Sequence, residues 1–469
     1  MIQAFAPDSH VPQPNFTFEP PAVPALLERA RGLARTAADE AAKRAYLDVL
    51  RRDPTSLPAL LELARLALRG GHRSAARTAY QQAIFCHPDD PTARVNLGNL
   101  LIESGEFHAA RAEFEAAMGA QPALAAAHQG LARVLTALGE TQLAAEHWRQ
   151  AFGAGGLAPQ PFGGEGAGVP VLLLVSASGG NIPIRSLLDD TVFAVTALYA
   201  EHHDLGLPLP PHALIFNAIG DADLCAEALA SARGIVARSS APVINLPALV
   251  SDTGRAAISR RLGALRDVVA PRTTLVRRLD LLAGDDLAFP HLFRSPGFHT
   301  GQHFVRVERR QELAAAVADL PGEALLAIEP LDARGSDGLY RKYRVMLIDG
   351  APYPLHLAVS THWKVHYFSA DMARDEDHRS EEATFLADMP GVIGPRAIAA
   401  LAAIAVELGL DYAGVDFAVA PDGRLLLFEA NPGMVISPPG PEAIWDYRRA
   451  ATERALAAVK ALLLRKAAA

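Results

Sequence analysis

The chain has 469 residues, of which 50% are hydrophobic and 20% charged, with a formal net charge of -8. That length holds about three domains with sizeable cores, and the mild acidity argues against nucleic acid as a main partner, since phosphate backbones are met by basic surfaces. Cys86 and Cys225 form neither a metal-ligand nor a disulfide pattern. Residues 1–8 lack the basic flank and apolar run of a signal peptide. The run Val169–Val175, with Pro170 inside it, is too short to span a bilayer. The expectation is a cytoplasmic protein without a membrane partner.

After an N-terminal extension (1–22), internal repetition dominates residues 23–158. Pro54, Pro88 and Pro122 are 34 residues apart, as are Gly71, Gly105 and Gly139. The same period joins Leu63, Leu97 and Leu131, then Ala76, Ala110 and Ala144. It also joins Tyr80, Phe114 and Trp148, and finally Ala83, Ala117 and Ala151. Each unit predicts two helices: one built on the Leu, a turn at the Gly, and a second whose small Ala permits close approach while the aromatic fills the space between units. Pro ends the second helix. Ala42 and Tyr46 carry the period back into a degenerate unit from residue 23. These residues resemble the tetratricopeptide (TPR) repeat, most clearly over 57–158. The resemblance implies an all-α superhelix whose groove takes a peptide or partner protein; a packing or dimerisation platform for the domain that follows is the alternative. Arg94, Asn96, Asn99 and His128 are read as groove-lining residues, which favours a polar ligand.

The Gly/Pro-rich segment 159–168 reads as a linker. Beyond it, strands at Val171–Val175, 213–217 and 242–245 alternate with helices, which predicts a small doubly wound α/β unit over 169–285. Ser178-Gly179-Gly180-Asn181, after the first strand, either holds an anion or makes a tight turn. The region 286–466 begins with a strand ending in Arg294 and a loop carrying His299 and Gly301. A cation followed by a glycine-containing loop suits a flap over phosphates, the backbone N–H groups sharing the negative charge. A buried strand then ends at Glu329-Pro330, and the basic strand 339–348 carries Lys342 and Arg344 on one face. Thr361–Tyr367 reads as strand or loop rather than helix, so His362 and His366 are expected, with Trp363, to line a pocket rather than to bind zinc. The last helix, about 441–466, covers the core.

Residues 414–433 hold the sharpest signal, two apolar strands around a Pro421-Asp422-Gly423 turn. Glu429 and Asn431 are two apart and share a strand face; with Ala420 paired to Gly423, Asp416 lies opposite Leu427 on that face. Two carboxylates and an amide in an apolar hairpin are costly unless a cation sits among them, and hard oxygen ligands suit Mg²⁺. This order of elements, closing on Asp416…Glu429-x-Asn431-Pro432-Gly433, resembles the ATP-grasp superfamily over about 170–460. The resemblance implies a multidomain chain: a TPR superhelix, an α/β pre-ATP-grasp unit and an α+β ATP-grasp domain. It implies ATP and Mg²⁺ as cofactors, with Asp416, Glu429 and Asn431 on the metal. Arg294 stands where a lysine is commoner, on the α/β-phosphates with His299 and Gly301. Glu329 faces adenosine, and Arg344 with Lys342 contacts the transferred phosphoryl group. A second upstream cation is Arg255 or Arg261. The activity implied is ATP-dependent ligation of a carboxylate and an amine through an acyl phosphate. A kinase-like release of phosphorylated product and a non-catalytic ATP-sensing adaptor are the alternatives.

Overall fold

The computed structural model describes residues 22–469 apart from 36–38, 154, 185, 285–286, 299–300, 302, 368–369 and 441, and the side chains of Arg35 and Arg69. The chain forms two compact units, Met1–Ala151 and Phe152–Ala469.

The first unit is all helical: α1 (Val23–Arg35), α2 (Asp39–Arg52), α3 (Leu57–Arg69), α4 (Arg73–Cys86), α5 (Pro91–Glu103), α6 (Phe107–Ala120), α7 (Ala125–Ala137) and α8 (Thr141–Phe152). Gly71, Gly105 and Gly139 close the turn within a pair at φ +76°, +75° and +80°, a conformation that glycine adopts without strain. Ala76, Ala110, Tyr80 and Phe114 are buried at the positions the period requires, and Ala42 and Tyr46 repeat the pattern in the first pair. Phe114 packs into space left by Gly98 and Gly130, where any Cβ would overlap its ring. Arg77–Glu106 (2.8 Å) and Arg111–Glu140 (3.0 Å) form the same ion pair in successive units.

The second unit contains three sheets. The strands are β1 (Leu157–Pro159), β2 (Val169–Val175), β3 (Phe193–Tyr199), β4 (Leu214–Asn217), β5 (Val243–Ile244), β6 (Val268–Val269) and β7 (Thr273–Arg277). They continue with β8 (His291–Arg294), β9 (Phe304–Val307), β10 (Ala324–Ile328), β11 (Tyr340–Ile348), β12 (Ala351–Ser360), β13 (Tyr412–Val419) and β14 (Leu425–Asn431). The sheet orders are β1-β3-β2-β4-β5, β7-β10-β8-β9 and β12-β11-β13-β14-β6. In the first of these β2, β3, β4 and β5 run parallel, and β3 is a strand that the sequence reading passed over.

Two expected boundaries need correction. The segment 159–168 is not a free linker. Leu157–Pro159 pairs antiparallel with β3, Gln160 N donates to Val195 O, and Gly163 N donates to Asp190 O. The division at 285 falls inside one sheet, because β7 pairs with β10 and β10 with β8.

Among the described residues one helix, Met389–Leu408, is long and apolar enough by length and composition to cross a membrane. It carries Gly394 at φ +79° with Pro395 behind it, and Ile393, Ala397, Leu401, Ile404 and Leu408 pack into the core against Val415 and Phe417. The last helix (Arg449–Ala467) covers the sheets through Ala455, Val459, Leu462 and Leu463.

Candidate functional site

The site grows from β13, whose residues are buried from Tyr412 to Ala418 with Asp416 the one charge among them. A bulge after Asp416 shifts the register with β14, so that Asp416 faces Glu429, and Phe417 faces Leu427. The expected pairing of Asp416 with Leu427 is therefore corrected by two residues, to Glu429. The turn closes on Ala420 from both sides, Gly423 N donating to Ala420 O at 2.8 Å and Ala420 N donating to Arg424 O at 2.9 Å, and Phe428 is the extra residue of the bulge. Gly414 stands opposite Asn431 and gives its space to Met434, which lies where a Cβ would project.

Asp416 is 3% exposed and both its oxygens carry cations. Arg344 Nε donates to Oδ1 at 2.6 Å, Arg344 Nη2 to Oδ2 at 2.8 Å, and Lys342 Nζ to Oδ2 at 3.0 Å. Burial alone would raise the Asp416 carboxyl, but Arg344 and Lys342 outweigh it and hold it far below the ordinary range. Glu429 has different neighbours. Its Oε1 accepts from Arg255 Nη2 at 3.3 Å and from Asn431 Nδ2 at 2.9 Å, while Asn431 Oδ1 accepts from Gly433 N at 2.9 Å. Against burial, Arg255 and Arg294 pull the Glu429 carboxyl down.

Arg294 ends β8 and donates from Nη2 to Phe298 O in the following loop, while its buried Nε has no hydrogen bond. Burial and the neighbouring Arg255 lower its pKa. Arg255, on the helix Arg255–Gly263, spans Asp223 and Glu429. Arg261 turns to Glu407 instead, so Arg255 is the upstream cation at the site. His299 lies outside the described residues.

These groups line one cavity of about 1100 Å³ within the second unit. Arg294, Gly301, Glu329, Lys342, Arg344, Asp416, Glu429 and Asn431 all reach it, as do Trp363 and His366, whereas His362 is exposed and does not. The lining holds nine Lys or Arg side chains against six Asp or Glu in a chain whose net charge is -8. The cavity lining thus carries more cations than carboxylates. Among the described residues no three His, Cys, Asp or Glu side chains are grouped to hold a metal ion; the convergent oxygens here are two carboxylates and an amide.

Several lining residues escaped the sequence reading. Lys364 donates to Phe304 O at 3.2 Å, and burial with Arg294 lowers its pKa. It sits between Trp363 and His366, in a stretch read only for its histidines and Trp363. His356, opposite Arg344 in the β11–β12 pairing, is 7% exposed and its Nδ1 has no hydrogen bond. Burial first, then Arg344, keeps it neutral. The turn after β2 is not an open anion site throughout: the Glu201 carboxylate already accepts from Ser176 Oγ (2.6 Å) and Ala177 N (3.1 Å).

In the first unit, Arg94 pairs with Glu113 at 3.2 Å and Asn99 accepts from Arg133 at 3.3 Å. His128 is not a groove residue. It is 4% exposed, stacks on His147 with ring centroids 5.1 Å apart, and lies 2.7 Å from Pro122 O.

The tetratricopeptide repeat model matches residues 27–91, 61–103 and 95–159. The N-terminal region is built of TPR repeats. Repeats of this type point to protein–protein interaction. Among solved structures, the chain is similar to MamA, at 23% identity over 26% of this chain and 72% of that chain, with a TM-score of 0.25. It is also similar to MamA residues 41-end from Desulfovibrio magneticus RS-1, at 18% identity over 28% and 74%, with a TM-score of 0.26. No curated protein matches the chain.

Proposed function

We propose that the second unit is an ATP-grasp ligase that joins a carboxylate to an amine through an acyl phosphate, and that the TPR array recruits its peptide or protein partner. The observation that carries this reading is the convergence of Arg255, Arg294, Lys342 and Arg344 with Asp416, Glu429 and Asn431 in one cavity. A triphosphate needs cations spread along its length, and charge transferred between oxygens is best met by donors already in place.

The donor set fits Mg²⁺, being oxygens only, from carboxylates and an amide on adjacent strands. Glu429 and Asn431 would hold it, with Asp416 joining once Lys342 and Arg344 turn to phosphate; when bound, the ion would neutralise charge on the phosphates. Arg294, at the end of β8 before the glycine-containing loop, would lie on the α/β-phosphates. Arg344 and Lys342, which face each other's partner Asp416, would take the γ-phosphoryl group. Glu329, beside the end of β10, would meet the adenosine. The deciding test is ATP turnover by purified protein with paired acids and amines. Mg²⁺-dependent ADP formation requiring both substrates is expected; nucleotide-independent behaviour of the cavity would overturn the reading.

A further inference from the structure

A second anion-directed feature lies in the same cavity, away from Asp416. Arg448, just before the last helix, lines the cavity and is 8% exposed. Its guanidinium lies over the Tyr367 ring at 4.2 Å, and Nε is buried without a hydrogen bond. The carboxylate behind it, Glu382, is 0% exposed and does not line the cavity. Glu382 accepts from Tyr447 Oη at 2.6 Å, Tyr367 Oη at 3.1 Å and Leu357 N at 3.3 Å, and lies 3.3 Å from Arg448 Nε. Glu382 thus has three hydrogen-bond donors besides its ion pair with Arg448, whereas the Arg448 Nε is buried and makes no hydrogen bond of its own. A buried guanidinium N–H without an acceptor is costly, and the planar guanidinium of a cavity-lining arginine matches a carboxylate.

The position fits a substrate rather than the nucleotide. His356, opposite Arg344, packs on Tyr367 at 4.7 Å, so one ring pair separates Arg448 from the Arg344–Asp416 cluster. Trp445, whose ring lies 6.4 Å from that of Tyr367, adds apolar lining beside it.

We propose that Arg448 recognises a substrate carboxylate that the reaction leaves intact, with Glu382 as the residue that positions it. The proposal rests on the ligase reading and names its substrate class: an amino acid acting as the amine, or a dicarboxylic acid acting as the acyl donor.

The test is calorimetric binding of acids and their carboxamides to the full chain with Mg-AMP-PNP present. The probes are the common amino acids against their amides, and short dicarboxylic acids against their monoamides. At least one acid should bind about tenfold or more tighter than its amide, the scale of a lost charged hydrogen bond. Arg448→Gln should abolish that preference. Arg448→Lys, which keeps the charge beside Glu382 and so protects the fold, should retain only part of it. Glu382→Gln should reduce the acid-to-amide ratio without changing AMP-PNP affinity, which a merely structural defect would not do. No preference for any acid in the wild type, or a preference that survives Arg448→Gln, overturns the proposal. So does a loss of AMP-PNP affinity alone in Arg448→Gln, which would make Arg448 a phosphate ligand. Binding of AMP-PNP to the wild type reports separately on the ligase reading. Hydroxylamine trapping separates the two sources, since an acyl phosphate, and hence a hydroxamate, forms only from an acyl donor.

Discussion

Asp416 shows how a single side chain can carry opposite expectations. Two neighbouring carboxylates, viewed from sequence, suggest repulsion, so that removing one charge would stabilise the unliganded protein. The structure reverses this for Asp416, because Arg344 and Lys342 hold both of its oxygens. Asp416→Asn should cost about 3–5 kcal/mol in urea unfolding, since it leaves two cations buried beside an amide. Glu429→Gln, at a side chain 25% exposed with Arg255 at 3.3 Å, should cost clearly less. Under the proposed reading Glu429→Gln also abolishes Mg²⁺-dependent turnover. His356 supplies the pH dependence. Burial and Arg344 put its folded pKa well below that of an unfolded histidine, about 6.5. Below that pH the unfolded chain binds a proton that the folded chain refuses, so stability falls as pH falls, by up to about 1.4 kcal/mol per pH unit from this group. His356→Gln should flatten the decline between about pH 6.5 and 5 in unfolding curves. An equally steep decline in the variant would assign it to other groups.

At the scale of elements, what could be read from sequence follows from what each pattern encodes. The 34-residue period was legible because Gly at the turn, Ala at the close approach and an aromatic between units each answer a separate geometric demand. The neighbours of Phe114 were not legible, because Gly98 and Gly130 sit in different columns of the repeat. Gly130→Ala should destabilise the first unit by about 1–3 kcal/mol through overpacking, measurable as a lowered Tm of that unit. The acidic hairpin was legible from composition, but its register was not: a bulge adds one residue without changing the kinds of residue present. Arg255 and Arg261 were indistinguishable by type, and six residues on a helix of 3.6 per turn send them to different sides. The linker misled because Gly and Pro mark turns within a unit as readily as gaps between units. Residues 152–469 should therefore stay soluble alone, whereas 169–469 loses β1 and bares the β3 edge. Size-exclusion chromatography should show the shorter form aggregating; a monomeric, equally stable 169–469 would return the segment to linker status.

For the whole molecule, the placement of charge decides which bond of ATP the proposed ligase breaks. Arg294 at the end of β8 and Arg255 at a helix start both act on Glu429, while Arg344 and Lys342 gather on Asp416 from β11. The Arg294 and Arg255 cations suit the α/β-phosphates, which then depart together as ADP, and the β11 pair suits the phosphoryl group in transfer. The products should be ADP and phosphate rather than AMP and pyrophosphate. With ¹⁸O in the substrate carboxylate, one label should appear in the released phosphate, because that oxygen bridges carbon and phosphorus in the acyl phosphate and leaves with phosphorus when the amine attacks. Label in AMP would mean adenylation and would sink the ATP-grasp reading. Unlabelled phosphate would mean that water, not the carboxylate, attacks ATP. A stable phosphorylated product with no ligation would move the assignment to a kinase. Repeating the measurement on residues 152–469 locates the array in the scheme. If the TPR repeats recruit the substrate, turnover of a small free substrate should survive the truncation and turnover of a protein-borne substrate should fall; equal loss of both would make the array a structural part of the enzyme.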